Sequence, residues 1–291
     1  MTYSARRVAQ LETCRVRGLD FQLYRWAGDD PDPIVLLHGW GDSGETWQFV
    51  VDELSQRRTL IAFDARGFGR TQWPDDGYWF PDYLADLEAI LGVIAPGRPV
   101  DLVGHSMGGN VAMIYAGVRP DRIRRLMNLE GVGLNPTTAD QAPARYREWL
   151  DEIAAGSRFA IYETFAQFES VLARRNPRTP PDRLAFIARS WARVRDDGRI
   201  ELRADPRHKR INPVLYQRDQ AEACWNAIAA PTLLAMGAQS EFAERLRSQT
   251  VEEKIGTLLP HAQLATIEEA GHMMHHERPA AVAELVETFF R

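Results

Sequence analysis

Residues 100–110, Val-Asp-Leu-Val-Gly-His-Ser-Met-Gly-Gly-Asn, constrain this chain more than any other stretch. Their apolar start reads as a strand, and Val111-Ala112-Met113-Ile114-Tyr115-Ala116 directly afterwards reads as a helix, so Ser106 falls on the tight turn between them. Such a turn bends the backbone sharply. Gly104 and Gly108 suit the bend, because a Cβ at either place would strike the neighbouring strand or helix. The turn lifts the Ser106 hydroxyl clear of the sheet, and the helix aims its free N–H groups and positive dipole end at the same spot. Negative charge developing there is favoured, which makes Ser106 a candidate nucleophile. A Gly-x-Ser-x-Gly also arises by chance in many chains. The strand before it and the helix after it give this one its weight.

The flanking sequence supplies a framework of the same kind. Residues 12–27 alternate polar and apolar about a turn at Gly18, as an antiparallel hairpin does. Apolar runs at 34–37, 60–63 and 123–129, with the one at 100, alternate with helical patterns at 46–54, 82–94 and after Ser106. Continuous runs are strands covered on both faces, so the alternation predicts an α/β fold, a mostly parallel sheet with helices on both sides. Between 134 and 224 the pattern changes to helical stretches at 145–153, 161–174 and 182–194, broken by Asn176-Pro177 and Thr179-Pro180-Pro181, with no β-rich run. A helical block inserted where strands end forms a cap over the sheet edge. Residues 1–133 and 225–291 are therefore the expected core and 134–224 the cap, with Tyr146, Trp149, Tyr162, Phe165, Phe168 and Trp191 packing mainly between the two. The sheet resumes at 231–237, followed by a helix from Glu241 to about residue 254, a strand at 263–267 and a closing amphipathic helix through Val282, Val286 and Phe290. Asp64 and Arg66 are expected to tie together a glycine-rich turn, and the aromatic loop 73–80 to serve packing.

Length and charge narrow the function classes. At 291 residues one core with an insertion is the natural arrangement. The net charge of -5, from 40 acids against 35 bases without a long run of either sign, argues against nucleic acid or an anionic membrane as partner. No apolar stretch approaches a membrane span, and residues 1–20 lack a signal-peptide core, so a cytoplasmic location is expected. Cys14 and Cys224 provide no disulfide framework and read as structural.

A serine hydroxyl needs a base within hydrogen-bond reach and an acid to orient that base. His272 is the candidate base, on a loop after the last strand that can reach back to Ser106. His275 and His276 follow one helical turn later, but the spacing lacks partner ligands of the usual zinc pattern, so no metal and no cofactor is expected. His105 reads as a structural hydrogen-bonding residue. The strand at 34–37 runs into His38-Gly39-Trp40-Gly41, a loop that can present backbone N–H groups at the sheet's carboxyl edge.

Taken in order, His38-Gly39, Gly104-His105-Ser106-Met107-Gly108-Gly109 and Gly271-His272 resemble the α/β-hydrolase superfamily, over essentially the whole chain. The resemblance implies a mostly parallel eight-stranded sheet with a helical cap, an acyl-enzyme on Ser106, and an oxyanion hole from the N–H groups of Met107 and Trp40. One position departs from the family pattern: where many relatives carry Gly-x-x-Asp, this chain has Gly237-Ala238-Gln239-Ser240. Two carboxylates can substitute, Glu130 at the end of the strand beside the nucleophile strand, or Glu241. Adjacency of successive parallel strands favours Glu130, while Glu241 begins a helix and can serve its dipole. Leu129-Glu130-Gly131, with Asp205-Pro206-Arg207 and Asn212-Pro213, is similar to a serine-hydrolase-like branch of the family. The expectation is a cofactor-free serine hydrolase of a small-molecule carboxylic ester, monomeric or homodimeric. Thioesterase, lactonase, C–C hydrolase and perhydrolase remain open with the same triad, as does a non-catalytic ligand-binding protein on the same fold.

Overall fold

In the computed structural model, which describes residues 3–241, 256–257 and 259–291, the central strands are buried at every position, as expected of strands covered on both faces. Strand order explains which strands are central. The strands are β1 (Gln10–Val16), β2 (Leu19–Trp26), β3 (Ile34–Leu37), β4 (Leu60–Phe63), β5 (Val100–His105), β6 (Ile123–Leu129), β7 (Ala192–Val194), β8 (Ile200–Leu202), β9 (Thr232–Gly237) and β10 (Gln263–Ile267). Eight of them form one sheet in the order β1-β2-β4-β3-β5-β6-β9-β10, while β7 and β8 pair apart from it. From β4 to β10 every neighbouring pair is parallel, while β2 pairs antiparallel with both β1 and β4 and so runs against the other strands of the sheet. All the parallel strands thus end on one edge, and the loops after them share it.

Side chains on β3 and β5 point alternately to two apolar layers, because successive residues of a strand face opposite sides. Val35, Leu37, Val100 and Leu102 join Leu87, Ile90, Val111 and Tyr115 of helices α2 (Phe80–Ile94) and α3 (Met107–Val118) on one face. Ile34, Leu36 and Val103 meet Val50 and Val51 of α1 (Gln48–Glu53) and Val282 and Val286 of the closing helix Pro279–Phe289 on the other. Asp64 and Arg66 do hold the turn after β4, though not through each other. Asp64 accepts from the N–H groups of Gly44 and Arg70, and Arg66 pairs with Asp86 at 2.6 Å. No helix among the described residues is long and apolar enough to cross a membrane.

The insertion departs from the all-helical expectation. It contains α4 (Ala142–Ala155), α5 (Phe165–Arg175), α6 (Pro181–Trp191) and α7 (Arg218–Asn226), but the stretch expected as one helix over 182–194 ends at Trp191 and continues as the β7–β8 ribbon. Asp197-Gly198, with Gly198 at φ +82°, makes the turn of that ribbon. Strands of three residues are too short for period-two patterning to show in a sequence. Phe168, Leu172, Leu184 and Ile187 form a small core of their own around Phe49 of α1. Helix α4 is different: none of its residues is buried, and Tyr146 and Leu150 are exposed rather than packed on the core.

The aromatic loop after β4 fastens the insertion to the sheet. His208 lies stacked between Phe68 at 3.8 Å and Tyr78 at 3.5 Å, and the Tyr78 hydroxyl donates to Asp205. Trp73 Nε1 donates to the Arg203 carbonyl at 3.1 Å. Burial in this stack pushes the His208 pKa from 6.5 down to about 3. The unfolded chain therefore binds the proton first, so the stability that this ring contributes is whole above about pH 6.5 and is lost as the pH falls below it. At pH 5 the loss amounts to about 2 kcal/mol for one group, a few degrees of melting temperature. Thermal melts from pH 7.5 to 5 should show His208→Gln losing less melting temperature than the wild type; equal slopes would mean that His208 does not titrate in this way.

Candidate active site

Ser106 sits between β5 and α3 with φ +51° and ψ −113°, a conformation that a residue with a side chain adopts at a cost of about 1–3 kcal/mol. Its surroundings hold it there. The Ser106 N–H donates to the Leu129 carbonyl at 2.8 Å, and its own carbonyl accepts from Asn110 N–H at 2.9 Å. A Cβ on Gly104 would run into the Gly108 carbonyl, and one on Gly108 would lie 2.6 Å from the carbonyl oxygens of Leu37 and His38. Only glycine permits the strand and helix to come this close.

The structure brings His272 and Glu130 to the serine. His272 Nε2 lies 3.0 Å from Ser106 Oγ, and its Nδ1 lies 2.7 Å from Glu130 Oε2. With Nδ1–H donating to the carboxylate, Nε2 presents a lone pair to the hydroxyl. Glu130 is 4% exposed and, like Ser106, sits at positive φ, +57°. Its buried charge is satisfied by donors: Gly237 N–H reaches Oε1 at 2.8 Å and the Ser240 hydroxyl reaches Oε2 at 2.7 Å. Ser240, which stands where many relatives have an aspartate, is thus a donor to the carboxylate. The turn carrying Glu130 is shaped by Asn128, whose side-chain amide bonds both the N–H and the carbonyl of Gly131. Glu241 is exposed; the helix expected from it lies outside the described residues.

Behind the imidazole is a buried layer that the sequence reading only partly identified. His105 Nε2 donates to the His272 carbonyl at 2.8 Å, and burial, aided by His275 and His272, drives the His105 pKa well below 6.5 and keeps the ring neutral. Gly271 N–H donates to Glu277 at 2.6 Å, and Arg178, from the insertion, donates to the same oxygen at 2.8 Å. His275 pairs with Asp42 at 2.9 Å, and His276 lies next to it. Burial would raise the Asp42 pKa, but His276 and His275 outweigh it and hold the carboxylate well below its usual range. Asp42, Asn128 and Ser240 carried no usable signal in the sequence, because each acts on a partner that only the fold brings near.

The loop after β3 lies directly against the serine. His38 accepts from Ala65 N–H through Nε2 and donates from Nδ1 to the Gly39 carbonyl at 2.7 Å, which fixes both tautomer and loop. A Cβ on Gly39 would stand 3.2 Å from Ser106 Cβ. Trp40, next in the chain, is 53% exposed with its ring edge-on to Phe68, and Met107 is the first residue of α3. An N–H at the first helical position has no partner within the helix.

The family model described as alpha/beta hydrolase fold matches residues 32–279. A serine hydrolase-like protein of Danio rerio is 25% identical over 275 residues, covering 91% of this chain and 83% of that protein. A 2-(acetamidomethylene)succinate hydrolase of Mesorhizobium japonicum is 26% identical over 259 residues, 88% of this chain and 87% of its own. Among solved structures, the thioesterase domain from the curacin biosynthetic pathway superposes with a TM-score of 0.82 at 22% identity, over 96% of this chain and 99% of that one.

Ser240→Ala removes one of the donors to the Glu130 carboxylate. Hydrolytic turnover should fall about tenfold, the order expected for a hydrogen bond of about 1.5 kcal/mol to a charged group, with KM nearly unchanged. An unchanged kcat would show that the Ser240 bond does not act through Glu130.

Proposed function

Because the chain belongs to the α/β-hydrolase fold family, we propose that it is a serine hydrolase that cleaves a carboxylic ester through an acyl-enzyme on Ser106. The observation that carries this reading is the unbroken line from Glu130 through His272 to Ser106, with contacts of 2.7 and 3.0 Å. Ser106 Oγ attacks the ester carbonyl while His272 Nε2 takes its proton. The carbonyl electrons move onto oxygen, where the N–H groups of Trp40 and Met107 are the proposed donors. Collapse expels the alcohol, which leaves with the proton held on His272. Water, deprotonated by the same nitrogen, then attacks the acyl group, releasing the acid and restoring Ser106. Glu130 keeps the imidazole in the productive tautomer and balances its charge when protonated.

The binding-only alternative rests on the absence of an aspartate at 240 together with the large aromatic insertion. The pairing of Glu130 with His272 supports the enzymatic reading over it. The bond cleaved is a further question, because thioesters, lactones and C–C bonds next to a carbonyl use the same constellation and fold does not decide among them.

A fluorophosphonate probe tests the proposal, since it labels serines made nucleophilic by a base. Labelling of the wild type and its absence in Ser106→Ala are the expected results; an unlabelled wild type would leave only a binding role. In ester hydrolysis Glu130→Gln should lose roughly 10³–10⁴ in kcat, by analogy with the Asp-to-Asn change in a serine triad, and Glu241→Gln should lose little. The reverse ranking would reassign the acid. Oxoester, thioester and lactone substrates of graded acyl length then sort the bond type.

A further inference from the structure

Asp42 and the histidine pair at 275–276 lie beside His105, with the His275 ring 4.3 Å from its own, and the hydrolytic reading assigns them nothing. They come from the loop after β3 and from the short helix Met274–Glu277. Their side chains are 0%, 0% and 1% exposed. Oδ2 of Asp42 stands 2.9 Å from His275 Nε2 and 3.4 Å from His276 Nε2, and one donor atom from each residue falls within a sphere of contacts no longer than 4.8 Å. The other carboxylate oxygen is fixed by Ser43 N–H, the Thr46 hydroxyl and Trp191 Nε1, each at 2.8 Å. A hydrogen-bond network explains the His275–Asp42 contact. It accounts less well for His276 Nε2, which is buried 3.4 Å from the same carboxylate oxygen and interacts with its charge but makes no well-formed hydrogen bond to it.

We infer that Asp42, His275 and His276 form a binding site for a first-row transition-metal ion of the Zn²⁺ type, separate from the Ser106 centre. A tetrahedral ion with bonds of about 2.0–2.1 Å spaces its ligands about 3.3 Å apart; the two separations from Asp42 Oδ2, 2.9 and 3.4 Å, are near that spacing, and the ligand atoms, all within 4.8 Å of one another, draw together around an ion by side-chain rotation. Two imidazoles and a carboxylate form a nitrogen-rich donor set that suits zinc, cobalt or nickel rather than magnesium or calcium. The carboxylate is oriented by outer hydrogen bonds, as ligating carboxylates are. For His275 to ligate through Nε2, the proton it now donates to Asp42 moves to Nδ1, and Nδ1 has no partner in the present tautomer either, so no new bond is broken there. The missing ligand that argued against metal in the sequence is Asp42, 233 residues away.

The insertion closes over the cluster. Trp191, at the end of α6, covers Asp42, Ser190 and Ser43 share a hydrogen bond of 2.6 Å, and Arg183 donates to the His276 carbonyl. An ion bound here joins the loop that carries Trp40 to the segment that carries His272, so loading raises the melting temperature by mass action on the folded state.

The test uses the full chain, stripped with a chelator, dialysed against Zn²⁺ and assayed for bound metal, with Co²⁺ as a spectroscopic substitute. A single equivalent of zinc, a rise in melting temperature and visible Co²⁺ absorption of tetrahedral intensity are expected. His276→Gln should weaken binding roughly a hundredfold, since changes outside the ligand shell alone cost about 10–100-fold, and should abolish the thermal shift while keeping the far-ultraviolet circular dichroism of the folded chain. Asp42→Asn, equal in size, is the second variant and should show the same loss. His272→Gln and the exposed His261→Gln should bind as the wild type does. No stoichiometric zinc in the wild type, binding indifferent to both ligand variants, or binding lost with His272→Gln or His261→Gln would each overturn the site.

Discussion

The carboxylate of Glu130 is the interaction on which the candidate site rests. A buried charge is tolerated only when it is surrounded by donors, and here the donors come from three places: Gly237 at the end of β9, Ser240 just beyond it, and His272 on the loop after β10. The requirement to satisfy one anion therefore draws three segments of the carboxyl edge to a single point. Ser106 completes the line only because β5 lies next to β6, which places its turn one strand away from that anion. The positive φ of both Ser106 and Glu130 belongs to the same arrangement, since each leaves its strand by a turn that aims the side chain over the edge.

Much of this was legible in the chain because the relevant interactions are local or repeat with a simple period. The apolar runs at 34–37 and 60–63, the glycines around Ser106 and the closing helix follow from patterns within a dozen residues. Glu130 was accessible to reasoning as well, through the rule that successive parallel strands lie side by side, even though a residue at 240 would have been the more familiar choice. What stayed hidden depends on pairings across the fold. Nothing near Asp42 indicates that its partners are His275 and His276, and nothing near Ser240 indicates that it donates to Glu130. The β7–β8 ribbon was missed for another reason: Asp197-Gly198 is a good turn, but three residues on either side are too few to distinguish a strand from the end of a helix.

The insertion is attached to the same loops that carry the chemistry. Arg178 shares the Glu277 oxygen that also accepts from Gly271 N–H, the residue before His272. Trp191 bonds Asp42, two residues after Trp40, and Asp205 N–H donates to the Gly67 carbonyl in the turn after β4. These contacts are polar and directional, unlike the apolar packing of α5 and α6 on Phe49. Displacing the insertion by even a fraction of a turn costs bonds that set the backbone around His272 and the Gly39 loop. The position of the insertion is thereby coupled mechanically to the position of the imidazole, and the placing of the insertion and the alignment of His272 with Ser106 are one problem rather than two.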